Sequence, residues 1–257
     1  MNIYYDCKSA SWFHTGMKDE ITIGGDNQIV RHQRACLDAT RLDLQLKNGH
    51  VGPLIGIMTS RKENGSWAGN YSLFKELQKK LISLHGISFI FTQEGIQDDS
   101  INGFTYLPES QTWMKIKAPY PDLVYNRIPF RKAEQNEDFH HTLDIFKQKD
   151  IPFFNPCFID KYDIHQLFKH HPILQKFLPK TEIIDNQTDV ESFLEKYQSV
   201  YVKPAQSAKG KGIFRLRLND QSEVHLDGIS TNEKFASFQA FWNKWGTILN
   251  SKKYIIQ

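Results

Sequence analysis

From Val51 onward the chain alternates short apolar runs with stretches of helical spacing. Leu54-Ile55-Gly56-Ile57-Met58 is an apolar run bounded by turn residues, the pattern of a buried strand. Residues 71–84 then place apolar side chains at 73, 74, 77, 81, 82 and 84, close to the period of an amphipathic helix. His85-Gly86 reads as the helix stop, and Ile87-Ser88-Phe89-Ile90-Phe91 as a second buried strand. Strand, helix, stop and strand form a βαβ unit, which predicts a parallel sheet. Another strand is expected over 121–127, ending in polar Asn126-Arg127, and a helix over 136–149 leads into Ile151-Pro152-Phe153-Phe154-Asn155. Upstream, Ile21-Thr22-Ile23 and Gln28-Ile29-Val30 flank the turn Gly24-Gly25-Asp26-Asn27, so residues 1–50 read as a small β-rich segment.

The pattern changes after Cys157. Asp160 is a candidate N-cap for a helix starting near 160, with amphipathic spacing continuing to Phe177. A strand is expected at 178–184, a short helix at 189–197, a strand at 199–203, a glycine loop, and a strand at 213–218. Residues 233–249 carry Phe235, Phe238, Phe241, Trp242 and Trp245 at helical steps, and Tyr254-Ile255-Ile256-Gln257 closes the chain as a strand. Such an aromatic stripe is more often core than a partner groove.

Composition narrows the class. With 40% hydrophobic and 13% aromatic residues among 257, the chain can bury a sizeable core, which excludes disorder as its main state. Lys and Arg number 32 against 29 Asp and Glu, a net +3 that argues against a dedicated nucleic-acid binder. Cys7, Cys36 and Cys157 are far apart and in no C-x-x-C arrangement, so a reducing compartment and a cytoplasmic location are expected. No apolar run reaches the length of a membrane span or a signal-peptide core, so neither is expected.

The most informative stretch is Val200-Tyr201-Val202-Lys203-Pro204-Ala205-Gln206-Ser207-Ala208-Lys209-Gly210-Lys211-Gly212-Ile213-Phe214. A strand delivers a lysine at its end, a loop of small residues follows, and a second strand leaves it. Small residues let backbone N–H groups approach a polyphosphate, and Lys203 sets a cation beside it. No Walker A spacing is present. Alone, such a hairpin is more often an exposed turn with solvated lysines.

Lys161 at a helix start, Leu178-Pro179-Lys180-Thr181 before a strand, and the closing Tyr254-Ile255-Ile256-Gln257 change that weighting. The order resembles the ATP-grasp enzymes, and more narrowly the YheC/YheD family of endospore coat-associated ATP-grasp proteins. The segments that carry the likeness are GPLIGIMT, PDLVYNRI, IPFFNPCFIDK, LPKTEII, VYVKPAQSAKGKGIF and YIIQ, spanning about 51–257. The fold class implied is α/β: a β-rich segment at 1–50, an α/β pre-ATP-grasp domain at 51–157, and the first part of an α+β ATP-grasp module at 158–257. The resemblance makes ATP the cofactor. Lys161 would lie on the α-phosphate side, and Lys203 would contact phosphate and the adenine edge. Ser207, Ala208, Lys209, Gly210, Lys211 and Gly212 would form a lid over the β- and γ-phosphates, and Ile255, Ile256 and Gln257 would enter the adenine hinge.

The family's acidic and Asn metal ligands follow the hinge, so Mg2+ is expected only with sequence beyond Gln257, and no residue here is assigned to it. The chain is therefore read as a fragment or a truncated product that binds ATP weakly and catalyses nothing alone. In its full-length form the implied activity is ATP-dependent carboxylate–amine or carboxylate–thiol ligation through an acyl-phosphate. The other reading is a non-catalytic scaffold of the spore coat with coat proteins as partners.

Other candidates have plainer explanations. His140-His141, His165 and His170-His171 show no zinc spacing. Cys157, within the apolar run 153–159, is expected to be a buried inert thiol, and Ser207 has no local histidine to activate it. Asn126 and Arg127 stand where open α/β sheets bind ligands. Arg127 is a candidate to hold a substrate carboxylate, with a structural ion pair to Glu134 or Asp138 as the equal alternative.

Overall fold

A computed structural model of the chain describes residues 1–16, 20–34, 38–207 and 210–257. It divides into two compact units, Met1–Phe158 and Ile159–Gln257.

The first unit contains two sheets. Seven short strands supply the first: β1 (Asn2–Asp6), β2 (Ser11–His14), β3 (Ile21–Ile23), β4 (Gln28–His32), β5 (Thr40–Asp43), β6 (Gln45–Lys47) and β7 (His50–Gly52), in the order β5-β1-β2-β4-β3-β7-β6. The turn expected at Gly24 joins β3 to β4, with Asn27 N donating to Gly24 O at 2.9 Å. Gly24 has φ +78°, and a Cβ there would stand 2.3 Å from Tyr120 O, so the position accepts only glycine.

The second sheet follows from β8 (Leu54–Met58), α1 (Tyr71–Ser83), β9 (Ile87–Phe91), β10 (Ile101–Leu107), β11 (Thr112–Ala118), β12 (Leu123–Asn126), α2 (Glu137–Gln148) and β13 (Phe153–Phe154). Its order is β11-β10-β9-β8-β12-β13. β8, β9, β12 and β13 run parallel, as the βαβ pattern requires, and β10–β11 adds an antiparallel hairpin. Every residue of β9 is buried, which explains its unbroken apolar sequence. Residues of both sheets, Ile3, Tyr5, Leu54, Phe89, Tyr120 and Phe146 among them, share one core.

Helix α1 is capped by Asn70, whose side chain accepts from Leu73 N, and it buries Phe74 and Gln78. Gln78 falls outside the apolar stripe read from sequence, yet it is 1% exposed. Its Oε1 accepts from Ser88 N and Ser88 Oγ, each at 2.6 Å, and its Nε2 donates to Thr105 Oγ1 at 2.9 Å. One amide thus ties α1 to β9 and β10.

The second unit consists of α3 (Lys161–Phe168), β14 (Glu182–Ile184), α4 (Gln187–Tyr197), β15 (Ser199–Pro204), β16 (Phe214–Leu218), β17 (Val224–Gly228), β18 (Asn232–Phe235), α5 (Phe238–Asn250) and β19 (Tyr254–Ile256). Its sheet is antiparallel throughout, in the order β14-β19-β15-β16-β17-β18. Val190, Phe193 and Leu194 of α4 and Phe241 and Leu249 of α5 pack with Val200, Val202, Phe214, Leu216 and Leu226 on one face. The alternate positions Tyr201, Arg215 and Arg217 stay exposed on the other.

Three sequence expectations shift here. The aromatic helix begins at Phe238 behind the N-cap Ser237, while Phe235 pairs with Val224 in β18; its helical spacing from Phe238 is coincidental. Helix α4 starts two residues early because Asn186 and Asp189 form a capping box. Helix α3 stops at Phe168, Pro172 follows, and Leu167, Ile173 and Phe177 are exposed rather than lining an amphipathic helix.

Gln78→Leu keeps the volume of α1 but leaves Ser88 N without its buried acceptor. It should destabilise the first unit by about 2–3 kcal/mol, read as a lower urea midpoint with an unchanged slope.

Candidate functional site

In the second unit β15 runs from a buried centre to a polar end. Val200, Val202 and Pro204 face the core, so alternation turns Tyr201 and Lys203 to the open face. The Lys203 ammonium is half-buried there. Its Nζ donates to Gln257 Oε1 at 2.6 Å and lies 5.4 Å from the Tyr201 ring centroid. Gln257 is held in turn, its Nε2 donating to Thr181 Oγ1 at 2.8 Å and its backbone exchanging hydrogen bonds with Tyr201. Among the described residues no carboxylate pairs with Lys203, and burial pulls its pKa below the ordinary lysine value. The chain therefore places a desolvated cation beside a neutral amide.

Lys161 reaches the same strand end from the first turn of α3. Asp160 caps that helix by accepting from Tyr162 N at 2.8 Å. Lys161 Nζ donates to Pro204 O at 3.0 Å, Ser207 O at 2.7 Å and Ser207 Oγ at 3.3 Å, while Lys161 N donates to Ala205 O at 3.1 Å. This lysine therefore pins the first turn of the loop, and Lys203 stands one residue away from the carbonyl it grips.

Ser207 opens the glycine loop. Ala208 and Lys209 lie outside the described residues. Gly210 and Gly212 have φ near +72° and +73°, and a Cβ on Gly212 would press to 3.0 Å from Pro204 Cγ, so the loop's return needs glycine. Lys211 is exposed. Beneath the return, Gly210, Gly212, Phe214, Leu226, Ile229 and Trp245 help line a cavity of about 360 Å³, which neither Lys161 nor Lys203 borders.

Ile255 and Ile256 lie in the strand that runs up to Gln257. β19 is an interior strand, paired to β14 on one edge and β15 on the other, and both side chains are 0% exposed. Their backbone groups pair within the sheet, and Gln257 is tied to this centre by its side chain.

Residues 150–257 match the family model described as YheC/D like ATP-grasp. This segment belongs to the YheC/D-like ATP-grasp family. Over 181 residues the chain is 33% identical to "Endospore coat-associated protein YheD" of Bacillus subtilis (strain 168), covering 66% of this chain and 39% of that protein. Over 179 residues it is 25% identical to "Endospore coat-associated protein YheC" of the same strain, covering 67% and 49%. The chain thus spans less than half the length of either curated relative. Among solved structures, D-alanyl-alanine synthetase A from Vibrio cholerae O1 biovar eltor str. N16961 overlaps 80% of this chain and 59% of that one, with 13% identity and a TM-score of 0.40. An overlap that loose carries no argument about site or reaction.

In the ATP-grasp segment two contributors went unread in the sequence: Thr181, which orients Gln257, and Tyr201, two residues before Lys203 and therefore on its face of the strand. Strand alternation counted back from Lys203 would have found Tyr201; nothing local marks Thr181 as a partner of Gln257.

In the first unit Asn126 is structural. It is 5% exposed, donates to Glu134 Oε1 at 2.6 Å and accepts from Ile128 N at 3.0 Å. The other Glu134 oxygen accepts from Phe158 N at 2.8 Å. Glu134 is thus taken, and no ion pair of Arg127 with Glu134 or Asp138 forms. Cys157 is exposed, correcting the buried thiol, because the strand ends at Phe154 and Asn155 turns at φ +56°. Cys36 lies outside the described residues. No group of three or more His, Cys, Asp or Glu is gathered for a metal among the described residues. His165 stacks near Tyr162, and burial, then Lys169 and Lys180, lower its pKa.

Lys203→Met removes a desolvated charge whose hydrogen-bond acceptor among the described residues is an amide. The second unit should keep its stability or gain up to ~1 kcal/mol, measured by chemical denaturation.

Proposed function

We propose that the second unit binds the polyphosphate of ATP on the open face of its sheet, at the end of β15. The observation that carries the reading is Lys203: a half-buried ammonium with no carboxylate partner among the described residues, directly before a glycine loop. An arriving phosphate would supply the missing countercharge in a site where water screens poorly. In this reading Lys161 shapes the loop's first turn, Ser207, Ala208, Lys209, Gly210, Lys211 and Gly212 cover the phosphates, and Gln257 orients Lys203.

The proposed activity of the whole protein is ATP-dependent joining of a carboxylate to an amine or thiol through an acyl-phosphate. Membership of residues 150–257 in the ATP-grasp family supports it. Such a reaction draws on positioning and charge neutralisation more than on a protein base, consistent with a site of ammonium groups and backbone donors. Magnesium would accompany the nucleotide, and no residue is assigned to it. The printed names of the two Bacillus relatives favour a second reading, a coat-associated scaffold that retains the fold, with cytoplasm and spore coat as its locations. No helix among the described residues is long and apolar enough to cross a membrane.

Calorimetric titration separates the readings. The chain should bind ATP saturably and more tightly than AMP, and Lys203→Met should weaken ATP binding at least tenfold, about 1.4 kcal/mol. Unchanged ATP affinity in that variant would overturn the phosphate assignment, and a folded chain that ignores ATP altogether would favour the scaffold. Protonated Lys203 is the binding form. Affinity should therefore hold at neutral pH and fall as pH rises through the lowered Lys203 pKa, with proton uptake on binding in that alkaline range.

A further inference from the structure

In the first unit, the outer edge of the seven-stranded sheet is complementary to itself. β5 is the last strand, joined to β1 on one side and to no strand on the other among the described residues. Just past β5 the register reaches Met1 and Leu44, which exchange both backbone bonds: Leu44 N donates to Met1 O at 2.8 Å and Met1 N to Leu44 O at 2.5 Å. In an antiparallel ladder such couples alternate with couples whose N–H and C=O groups point outward. Counting back from Leu44, Leu42 and Thr40 bond to β1, while the N–H and C=O groups of Arg41 and Asp43 face the open edge.

The open run has definite limits. It closes at Gln45, whose N donates to His85 O at 2.7 Å. Thr40 through Leu44 all border one cavity of about 790 Å³, whose other walls include Ile82 and Leu107. Leu42 is the midpoint of that run and turns its side chain inward, while Arg41 and Asp43 are exposed on the opposite face.

Charge selects the partner. Edge strands commonly repel their own copies with like charges; β5 instead carries opposite charges two residues apart. When a second copy of β5 lies antiparallel with Leu42 opposite Leu42, Arg41 of each copy faces Asp43 of the other. The outward backbone groups of those same residues then pair, and Leu42 of each copy points to the apolar side of the cavity. Arg41 Nε donates to Asn2 Oδ1 at 3.0 Å, and the guanidinium forms no ion pair among the described residues. Asp43 meets Met1 N and His85 Nδ1, each at 3.1 Å, with its side chain still half exposed.

We propose that this chain forms a symmetric dimer by pairing β5 edge to edge with β5 of a second copy, Arg41 opposite Asp43 and Leu42 on the twofold axis. The interface rests on the first unit alone and does not depend on the nucleotide reading.

Sedimentation equilibrium of the full chain over a concentration series tests it. The mass should rise reversibly from one chain to two. Arg41→Asp and Asp43→Arg each set like charges opposite one another, twice by symmetry, and each alone should weaken association about tenfold. Mixed in equal amounts, the two variants present opposite charges at every pair and should associate as the wild type does. Arg41→Pro removes an outward N–H that β1 does not use and should abolish the dimer. Unchanged denaturation midpoints in dilute solution show that the variants fold. Without any variant, the Arg41 and Asp43 amides of the wild type should gain protection from hydrogen exchange as the dimer forms. A chain that stays single up to millimolar concentration, a dimer that Arg41→Pro leaves intact, variants that do not recover on mixing, or amides that gain no protection overturns the pairing. Lys203→Met should leave association unchanged, so failure here and failure of ATP binding are separate results.

Discussion

The second unit is organised around the burden of a half-buried ammonium. Lys203 is drawn out of water by its position on β15, and among the described residues its one hydrogen-bond acceptor is the amide oxygen of Gln257. Burial disfavours the charged form, and a neutral acceptor offsets only part of that cost. The surrounding sheet makes the arrangement possible: β19 is locked between two neighbours, which fixes Gln257 beside the lysine, and Thr181 holds the other end of the amide. A fold selected for stability alone would place a carboxylate or an apolar side chain here. In the proposed reading, that position is kept for an arriving phosphate.

Lys161 works in a complementary way. Its ammonium donates to loop carbonyls, so it acts on the shape of the loop's first turn. One lysine builds the rim and the other supplies the field. Lys161, not Lys203, donates to the turn's oxygens.

Much of the fold was readable because its strands and helices obey simple periods. The βαβ unit from β8 to β9 could be read from an apolar run, a helical stripe and His85-Gly86, and the β15–β16 hairpin from Lys203 and the glycines. The misreadings share a cause. Phe235 fell by chance at helical spacing from Phe238, and only cross-strand pairing with Val224 decides its state. Gln78 was passed over because a polar side chain on a helix is ordinarily solvated; its burial depends on Ser88 and Thr105, which no local pattern announces. Asn126 and Arg127 were grouped as neighbours at a strand end, yet alternation sends one inward to Glu134 and leaves the other to Tyr125.

The aromatic floor of the loop cavity has an optical consequence. Trp245 sits 5.1 Å from Phe214, ring to ring, and lines the same recess as Gly210 and Gly212. Its indole senses the polarity of that recess, so any rearrangement of the glycine return would register in its emission. The protein carries its own unlabelled reporter for events at the glycine loop.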